Sequence, residues 1–331
     1  MQRSSRACWV VLCLACLSLS AACSGPSPST LDPQGPKSET VAGSWWLLLG
    51  VAAAVCLIVT VLAVVPVLRR RRVAGPRSGD GMRVVLVCGV ILPAIVFAST
   101  FGLSMRDLVD TSRAPTTPRM TIDVIGHQWW WEVRYSGGPA VTANEIHVPV
   151  GTNIRLRLRT ADVIHSFWVP QVMPKMDLLP RRVNQTWLRV DRVGRYRGQC
   201  AEYCGLQHAH MAFFVVAQHR AGFDTWLRRM SATARQPVDA MAQRGEQVFT
   251  STTCATCHTV RGTSADGHVG PDLTHVGSRS TLASGLIPND VGSMSGWIAN
   301  SQAVKPGNKM PPQKLSPADL RAVVAYLQEL R

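Results

Sequence analysis

Acidic residues are scarce in this chain of 331 residues, and no sequence repeat is visible at any period, which excludes a repeat array. Asp and Glu number 20 against 35 Lys and Arg, which gives a formal charge of +15 and a pI near 10.0. Such a charge could indicate a nucleic-acid partner. The arginines, however, are dispersed or lie beside apolar runs, and no recognition motif accompanies them. Nucleic acid is therefore not expected as a partner.

The ten cysteines do not form the pattern of a disulfide-stabilised protein. Four lie within the first 23 residues, Cys56 and Cys88 lie in apolar runs, and the other four form two close pairs with histidine beside each pair. Histidine beside paired cysteines argues against a disulfide framework. The chain is also long enough for more than one domain.

The first 23 residues predict an export signal, because Arg3 and Arg6 precede an apolar run that ends in small residues before Cys23. The small residues before Cys23 resemble the cleavage box of a bacterial lipoprotein, which would make Cys23 a lipidation site. Plain cleavage, or retention of the segment, is the alternative. Residues 24–43 are rich in Ser and Pro and are predicted to form a disordered tether, because they cannot bury enough apolar surface.

Residues 44–106 predict a hairpin of two membrane-spanning helices. Ser44 to Leu68 and Val84 to Met105 carry no charge and are long enough to cross a hydrocarbon core of roughly 30 Å. The connector between them is rich in arginine, so the positive-inside rule places it in the cytoplasm and everything after Arg106 on the outer face. A buried helical pair in a soluble protein is the alternative, which the flanking charges disfavour.

Residues 118–220 predict a Greek-key β-sandwich or barrel, because short β-branched and alternating runs are separated by turn residues. Phe213 to Ala217 would be the final strand. Residues 221–240 are predicted to be a linker that includes a short helix. Residues 241–331 then predict an all-α domain, whose last helix begins after Ser316 as N-cap. One apolar face at helical spacing supports that helix: Leu320, Val323, Val324, Leu327 and Leu330.

A dense set of potential metal ligands lies between Gln199 and Met211. Four residues follow the spacing C-x3-C-x3-H-x2-M: Cys200, Cys204, His208 and Met211. His165, in the upstream run HSFWVP, could complete the set. Thiolates, imidazoles and a weak thioether favour copper among the first-row metals. A Cys200–Cys204 disulfide and a zinc site of two cysteines and two histidines are the alternatives, but neither uses Met211.

This pattern resembles the binuclear copper (CuA) centre of cytochrome c oxidase subunit II. The resemblance implies a cupredoxin-like fold and a complete ligand set: Cys200 and Cys204 as bridges, His165 and His208 as terminal ligands, Met211 as a weak ligand, and the backbone carbonyl of Glu202. His210 falls on no ligand position of the family. The resemblance also implies that the Glu202 side chain reaches a magnesium ion shared with the catalytic subunit, since oxygen ligands suit a hard cation.

The run GHQWWWE, with Trp129, Trp130 and Trp131, is close to another segment of the family. There, an exposed aromatic residue at the position of Trp129 is the point at which electrons enter from cytochrome c. The alternative is that alternate tryptophans fill the barrel core. His127 and His147 also match family positions, and structural roles are expected for both.

A haem-binding motif follows in the C-terminal domain. Cys254, Cys257 and His258 form C-x2-C-H, in which two thioethers hold a c-type haem and the histidine is an axial ligand. A redox pair or half of a zinc site is the alternative, but no second C-x2-C follows. Met310, in NKMPP, is expected as the second axial ligand, with Met294 as its rival. Three residues match the cytochrome segment that packs on the haem: Gly270, Pro271 and Leu273.

Two features depart from the family pattern. Many subunits of this family carry a carboxylate near the start of the second span, at the mouth of a proton pathway, whereas no Asp or Glu occurs between Asp80 and Asp107. Asp80 is the nearest candidate. Lys175 and Asp177 lie in MPKMDLLPRR, which is similar to a segment that faces the catalytic subunit but lacks its usual glycines.

The resemblance covers almost all of the chain after residue 40 and implies subunit II of a haem-copper oxidase with a fused cytochrome c domain. It implies that electrons pass from an outside donor, such as a cytochrome c or the quinol-cytochrome c reductase complex, to the haem, the CuA pair and subunit I, which reduces oxygen to water. Subunit III is a further expected partner, in a bacterial plasma membrane. The alternatives are a copper-containing nitric oxide reductase, and a copper carrier or redox sensor, which leaves the covalent haem unexplained.

Overall fold

Two apolar helices, a β-sandwich and a helical C-terminal domain follow one another in this computed structural model, which describes residues 28–69, 80–114 and 117–331. The expected export signal with Cys23 and most of the arginine-rich connector lie outside the described residues.

The two apolar segments form long helices. Helix α1 is Pro36–Arg69, and the second consists of α2 (Asp80–Leu86), a π-helical turn (Val87–Ile91) and α3 (Leu92–Ser112). The stretches Pro36–Val65 and Gly81–Ser112, whose most apolar windows of 18 residues have mean hydropathies of 3.0 and 2.5, are long and apolar enough to cross a membrane. Large apolar side chains cover the surface of both, as a lipid-facing helix requires. The second helix continues to Ser112, beyond the predicted end at Met105.

The prediction of a disordered tether up to residue 43 is wrong for the described part of that segment. Helix α1 begins at Pro36, and its first turn packs on the sandwich. Lys37 Nζ donates to Thr186 Oγ1 at 2.8 Å, and Ser38 Oγ donates to the carbonyl of Gln171 at 2.8 Å. Composition suggested disorder because the segment has little apolar surface, but its polar groups have partners more than a hundred residues along the chain.

The middle of the chain forms two five-stranded sheets packed face to face. The first sheet has the order β3-β2-β1-β5-β8 and the second β4-β10-β9-β6-β7, with parallel pairing of β1 to β5 and of β4 to β10. This confirms the Greek-key sandwich. The strands are β1 Met120–His127, β2 Trp130–Tyr135, β3 Val141–Ala143, β4 Glu145–Pro149, β5 Ile154–Thr160, β6 His165–Val169, β7 Met173–Leu178, β8 Asn184–Leu188, β9 Gly194–Cys200 and β10 Ala212–Gln218.

Helix α4 (Arg220–Ser231) belongs to the sandwich rather than to a linker. It contributes Phe223 and Met230 to the same apolar core as Trp131 and Phe213, all of them nearly inaccessible to solvent. Burial of two large side chains ties the helix to the sheets. The connection to the next domain is therefore limited to residues 232–239.

The C-terminal domain is built on a crossing of its first and last helices. Gly245 lies where they meet, and a Cβ atom added there would come within 2.0 Å of the Ala322 carbonyl oxygen, so only glycine fits. Ser316 caps the last helix by accepting from the Asp319 amide at 3.1 Å, which confirms that helix start. The elements are α5 Ala240–Ser251, α6 Thr253–Cys257, β11 Thr281–Leu282, β12 Ile287–Pro288, α7 Val291–Ala299, α8 Ser301–Val304 and α9 Pro317–Glu329.

Candidate copper and haem centres

The predicted copper ligands meet at one end of the second sheet. His165 begins β6 and Cys200 ends the antiparallel neighbour β9, so pairing of these strands brings the two residues together. The loop after β9 carries Cys204 and then a 3-10 turn that starts at His208. Met211 follows this turn, directly before β10, and is fully buried.

The donor atoms of this cluster lie within a few ångströms of one another. The Sγ atoms of Cys200 and Cys204 are 3.8 Å apart, too far for a disulfide of about 2.05 Å but a distance that two metal–sulfur bonds of about 2.3 Å can span. His165 Nδ1 lies 3.9 Å from Cys200 Sγ, and His208 Nδ1 lies 3.7 Å from Cys204 Sγ. The sulfur of Met211 lies 3.8 Å from Cys204 Sγ.

The Glu202 carbonyl oxygen, 3.1 Å from Cys200 Sγ, completes the set. Two thiolates, two imidazoles, a thioether and a carbonyl exceed the four ligands of a structural zinc site, and they suit two soft cations that share the sulfurs. Among the described residues, His165, Cys200 and Cys204 form the one compact group of potential metal ligands. The residues present therefore fit a copper pair.

The electrostatics of the two thiols also favour bound cations. Hydrogen bonding with Cys204 and then with His165 lowers the pKa of Cys200 to about 3, despite its burial. The neighbouring Cys200 in turn raises the pKa of the Cys204 thiol. Two negative charges this close cannot coexist without positive charge between them. Metal cations at this position would allow both thiols to ionise.

Asp162, which the motif analysis missed, orients the upstream histidine. Its Oδ1 lies 2.8 Å from His165 Nε2, which leaves Nδ1 facing Cys200. Burial of Asp162 opposes its ionisation, but hydrogen bonds from His165 and from the amides of Gln128 and Val163 lower its pKa to about 2. A carboxylate behind a metal-binding histidine fixes the ring and its tautomer. The spacing D-x-x-H was the available signal.

Gly126 gives the His165 ring its place. A Cβ atom added to Gly126 would lie 2.8 Å from His165 Cδ2, so any larger residue would push the ring away. Burial opposes protonation of His165, but the hydrogen bonds to Asp162 and Cys200 raise its pKa.

Glu202 has two different surroundings. Its carbonyl faces Cys200, whereas its half-exposed carboxylate pairs with Lys175 Nζ at 3.1 Å. Lys175 also lies 3.5 Å from Asp177 Oδ1, so the three charged residues form one cluster on the surface.

The other two histidines that match family positions support the sandwich. The His127 ring stacks on Trp130 with centroids 4.2 Å apart, and its Nε2 lies 3.0 Å from Glu132. The His147 ring stacks on Trp226 of α4 at 4.1 Å.

A large apolar cavity in the C-terminal domain brings the haem motif together. Cys254, Cys257 and His258 line it, together with both candidate methionines. The His258 Nδ1–H donates to the carbonyl of Pro271 at 2.8 Å, which leaves Nε2 as the free ligand atom. Burial lowers the pKa of His258 and keeps the imidazole neutral, as a ligand must be. Gly270 packs against the ring, because a Cβ atom there would lie 2.4 Å from Cε1.

The two methionines differ in how they are held. The Met294 sulfur accepts from Gln328 Nε2 at 3.6 Å, and the residue is buried between helices. The backbone of Met310 is fixed by side chains on both sides: its amide donates to Asn308 Oδ1 at 2.8 Å, and its carbonyl accepts from Gln302 Nε2 at 2.9 Å. Both methionines line the cavity, and Met310 stays the predicted axial ligand with Met294 as its rival.

Arg279 shows that the cavity suits a haem. Its side chain lines the cavity, is buried, and donates from one guanidinium nitrogen to the Asp272 carbonyl. Its Nε has no hydrogen-bond partner among the described residues, which is costly for a buried charged group. A haem propionate would supply the missing acceptor. The sequence analysis did not identify Arg279.

Trp129 lies between the two centres and is not on the surface. Only 9% of it is exposed: it belongs to the apolar core of the sandwich, and Ser284 and Lys305 of the C-terminal domain donate to its carbonyl. The residue lines the haem cavity, and its Nε1 donates to the carbonyl of Cys204 at 2.9 Å. The neighbouring Gln128 donates to the same carbonyl at 2.9 Å. One residue thus joins the wall of this cavity to a predicted copper ligand.

Comparisons with known proteins match both the sandwich and the C-terminal domain. The family model for the periplasmic domain of cytochrome c oxidase subunit II matches residues 139–218, and the cytochrome c model matches residues 242–331. Cytochrome c oxidase subunit 2 of Alkalihalophilus pseudofirmus is 32% identical over 316 residues, with 92% of this chain and 91% of the relative covered. That of Bacillus sp. strain PS3 is 31% identical, with 77% of each covered.

Among solved structures, the periplasmic domain of subunit II of cytochrome oxidase from Bradyrhizobium japonicum is 31% identical, with a TM-score of 0.35, and covers 36% of this chain and 100% of that one. The long alignment with the Alkalihalophilus protein, the two domain matches and the ligand geometry lead to one assignment. The chain belongs to the cytochrome c oxidase subunit 2 family and carries a cytochrome c domain at its C-terminal end.

Proposed function

We propose that this chain is the subunit that receives electrons for a haem-copper terminal oxidase, relaying them from its own c-type haem through a binuclear copper pair to subunit I, which reduces oxygen to water. When bound, the haem iron and the copper pair would supply the one-electron chemistry. Cys254, Cys257, His258 and Met310 would hold the haem. His165, Cys200, Glu202, Cys204, His208 and Met211 would hold the copper pair.

The position of Trp129 carries this proposal. Trp129 lines the haem cavity and its indole donates to the carbonyl of Cys204, so a single residue lies against both sites. Because Trp129 is buried, a soluble donor would deliver electrons to the haem domain rather than to this residue. Trp129 is then an internal connection.

The protein groups around the copper site keep its ligands still, as electron transfer requires. Asp162 and Gly126 hold the His165 ring between a hydrogen bond and a close backbone contact. Phe167, Phe213 and Trp131 form the apolar floor beneath it, with Phe167 and Phe213 stacked at 4.5 Å. A dry, preorganised ligand set changes little between oxidation states, which lowers the cost of moving an electron.

The arrangement in the membrane follows from the arginines between the two spans. With residues 70–77 in the cytoplasm, the chain crosses the plasma membrane twice and both redox domains lie on the outer face. Subunit I, and subunit III with it, would pack against the two helices. The outside donor would be a cytochrome c or the quinol-cytochrome c reductase complex.

Glu202 would also serve a magnesium ion shared with subunit I. Its carbonyl is directed to the copper ligands while its carboxylate is at the surface beside Lys175, so one residue can contact both metals. The carboxylate would have to leave Lys175 when the partner binds, because a hard cation needs the oxygen lone pairs.

The test is to purify the native complex and measure its copper, covalent haem, electron paramagnetic resonance spectrum and oxygen uptake. The expected result is two coppers and one covalent haem in this chain, a mixed-valence copper signal, and oxygen uptake by the complex. A disulfide between Cys200 and Cys204 in place of the copper pair would refute the proposal. Consumption of nitric oxide without oxygen uptake would indicate the related reductase instead.

A further inference from the structure

A lysine is buried between the haem and copper domains. Lys305 is 3% exposed and lies just after α8 in the haem domain. Its Nζ donates to the carbonyl oxygens of Trp129 at 2.7 Å and His210 at 2.8 Å in the copper domain, and of Ala283 at 3.2 Å in its own domain. All three ammonium protons are thus used, and two of them cross the interface.

The contacts of Lys305 converge on the residue that joins the two centres. The Trp129 carbonyl accepts from Lys305 and also from Ser284 Oγ at 2.8 Å, so two haem-domain residues hold the backbone of Trp129. The indole of the same residue donates to Cys204. Trp129 is therefore fixed from the haem side through its backbone and from the copper side through its ring.

The segment that carries Lys305 also carries the methionine favoured as haem ligand. Asn308 donates to the Lys305 carbonyl at 2.7 Å and accepts from the Met310 amide at 2.8 Å, which ties the two residues into one short loop. The Pro306 carbonyl accepts from Gln207 Nε2 at 2.7 Å, and a Cβ atom on Gly307 would lie 2.9 Å from Leu206 Cδ2. The loop around Met310 is itself the surface that docks on the copper domain.

We propose that Lys305 is the positioning residue that locks the haem domain onto Trp129 and so sets the rate of electron transfer between the two centres. The lock rests on the relay proposed above. Two of the three carbonyl partners of Lys305 belong to the copper domain and are lost if the domains separate, so Lys305 favours the closed arrangement by the net contribution of these hydrogen bonds. Lys305 acts together with the other hydrogen bonds across the interface, from Ser284 to Trp129 and from Gln207 to Pro306, and it makes the largest number of them from one side chain.

The test compares Lys305→Met with Lys314→Met in the purified oxidase complex. Lys314 is an exposed lysine of the same domain, so the control makes the same chemical change outside the interface. Hydrogen–deuterium exchange in peptides that cover residues 127–131 and 305–310 reports opening of the interface. For Lys305→Met the exchange should rise by roughly ten- to a hundredfold, as expected when a buried charged donor is removed. Lys314→Met should match the wild type.

The second measurement is the electron-transfer step itself. After a light flash reduces the haem with a ruthenium photoreductant, its reoxidation should slow by about tenfold or more in Lys305→Met, since small displacements of well-positioned groups have large effects on rate. The haem spectrum, the copper resonance and the KM for the donor should stay unchanged while turnover falls. The proposal would be overturned if hydrogen–deuterium exchange and the electron-transfer rate both stayed unchanged in Lys305→Met. It would also be overturned if a measured change in the reduction potentials fully explained a slower transfer rate.

A second variant covers the case in which Lys305→Met fails to assemble. Ser284→Ala removes the other donor to the Trp129 carbonyl and keeps the lysine, so it should raise exchange and slow transfer in the same direction but by less. No effect of Ser284→Ala on either measurement would then count against the lock. A failure of the proposed relay can be distinguished from a failure of this proposal. If the relay is wrong, the haem of the wild-type protein would not reduce the copper at all. Hydrogen–deuterium exchange would still show whether Lys305 closes the interface.

Discussion

Replacing Asp162 by asparagine should weaken copper binding by roughly ten- to a hundredfold, the usual effect of removing a partner behind a metal-binding histidine. Oδ1 of Asp162 receives the amide of Val163 at 2.8 Å and lies 2.8 Å from His165 Nε2, while Oδ2 receives the amide of Gln128 at 2.7 Å. Asparagine offers one oxygen where aspartate offers two. One of these partners must therefore face an amide NH2.

Both orientations of the new amide are unfavourable. If its oxygen stays towards Val163 and His165, the NH2 group opposes the Gln128 amide, and a buried donor is left unsatisfied at a cost of about 1–3 kcal/mol. If the amide turns, its NH2 meets Nε2 and forces the His165 proton onto Nδ1. That nitrogen lies 3.9 Å from Cys200 Sγ and would no longer bind metal.

The assay is dialysis of the purified complex against a graded series of copper chelator, with copper counted per covalent haem and the resonance spectrum recorded at each step. Asp224→Asn is the matched control, because Asp224 pairs with Arg220 at 3.0 Å on the surface of α4. The chelator concentration at half-loss should fall roughly ten- to a hundredfold for Asp162→Asn alone. If the two variants and the wild type lose copper together, the orienting role of Asp162 is refuted.

Three further outcomes are expected. Gly270→Ala should prevent normal haem ligation, because the added Cβ would lie 2.4 Å from the His258 ring. Covalent haem content and the α-band of the purified chain measure the ligation. A normal α-band would contradict the prediction. Met310→Leu should lower the haem reduction potential, since a methionine ligand raises it. Met294→Leu should leave the potential unchanged and alter the free energy of unfolding by less than about 1.5 kcal/mol. Redox titration measures both variants, and a shift in the Met294 variant alone would make Met294 the axial ligand. Glu202→Gln should keep its copper, because the carbonyl supplies the ligand, and metal analysis showing copper loss would assign the side chain to the copper site.

The sequence alone predicted two apolar helices, a sandwich and a helical domain in that order, and it named the residues whose donor atoms the structure brings together. C-x2-C-H and C-x3-C-x3-H-x2-M are local patterns, in which the chemistry of the group requires fixed residue types at fixed spacing. The membrane spans and the capped last helix are also local, since hydropathy over about 20 residues and a Ser at the N-cap suffice to predict them. Each of these features could be identified without knowing which distant residues meet.

Contacts between distant parts of the chain were decided by the tertiary structure. Residues 28–43 lack apolar surface, yet Lys37 and Ser38 are ordered because the sandwich supplies their acceptors. Trp129 matches an exposed position of the family, but here it is buried in the sandwich core and Lys305 of the haem domain contacts its carbonyl. Asp162 and Lys305 belong to no motif, because their roles depend on partners brought near by strand pairing and by domain docking. A buried polar group is defined by what satisfies it, and only the folded chain shows that.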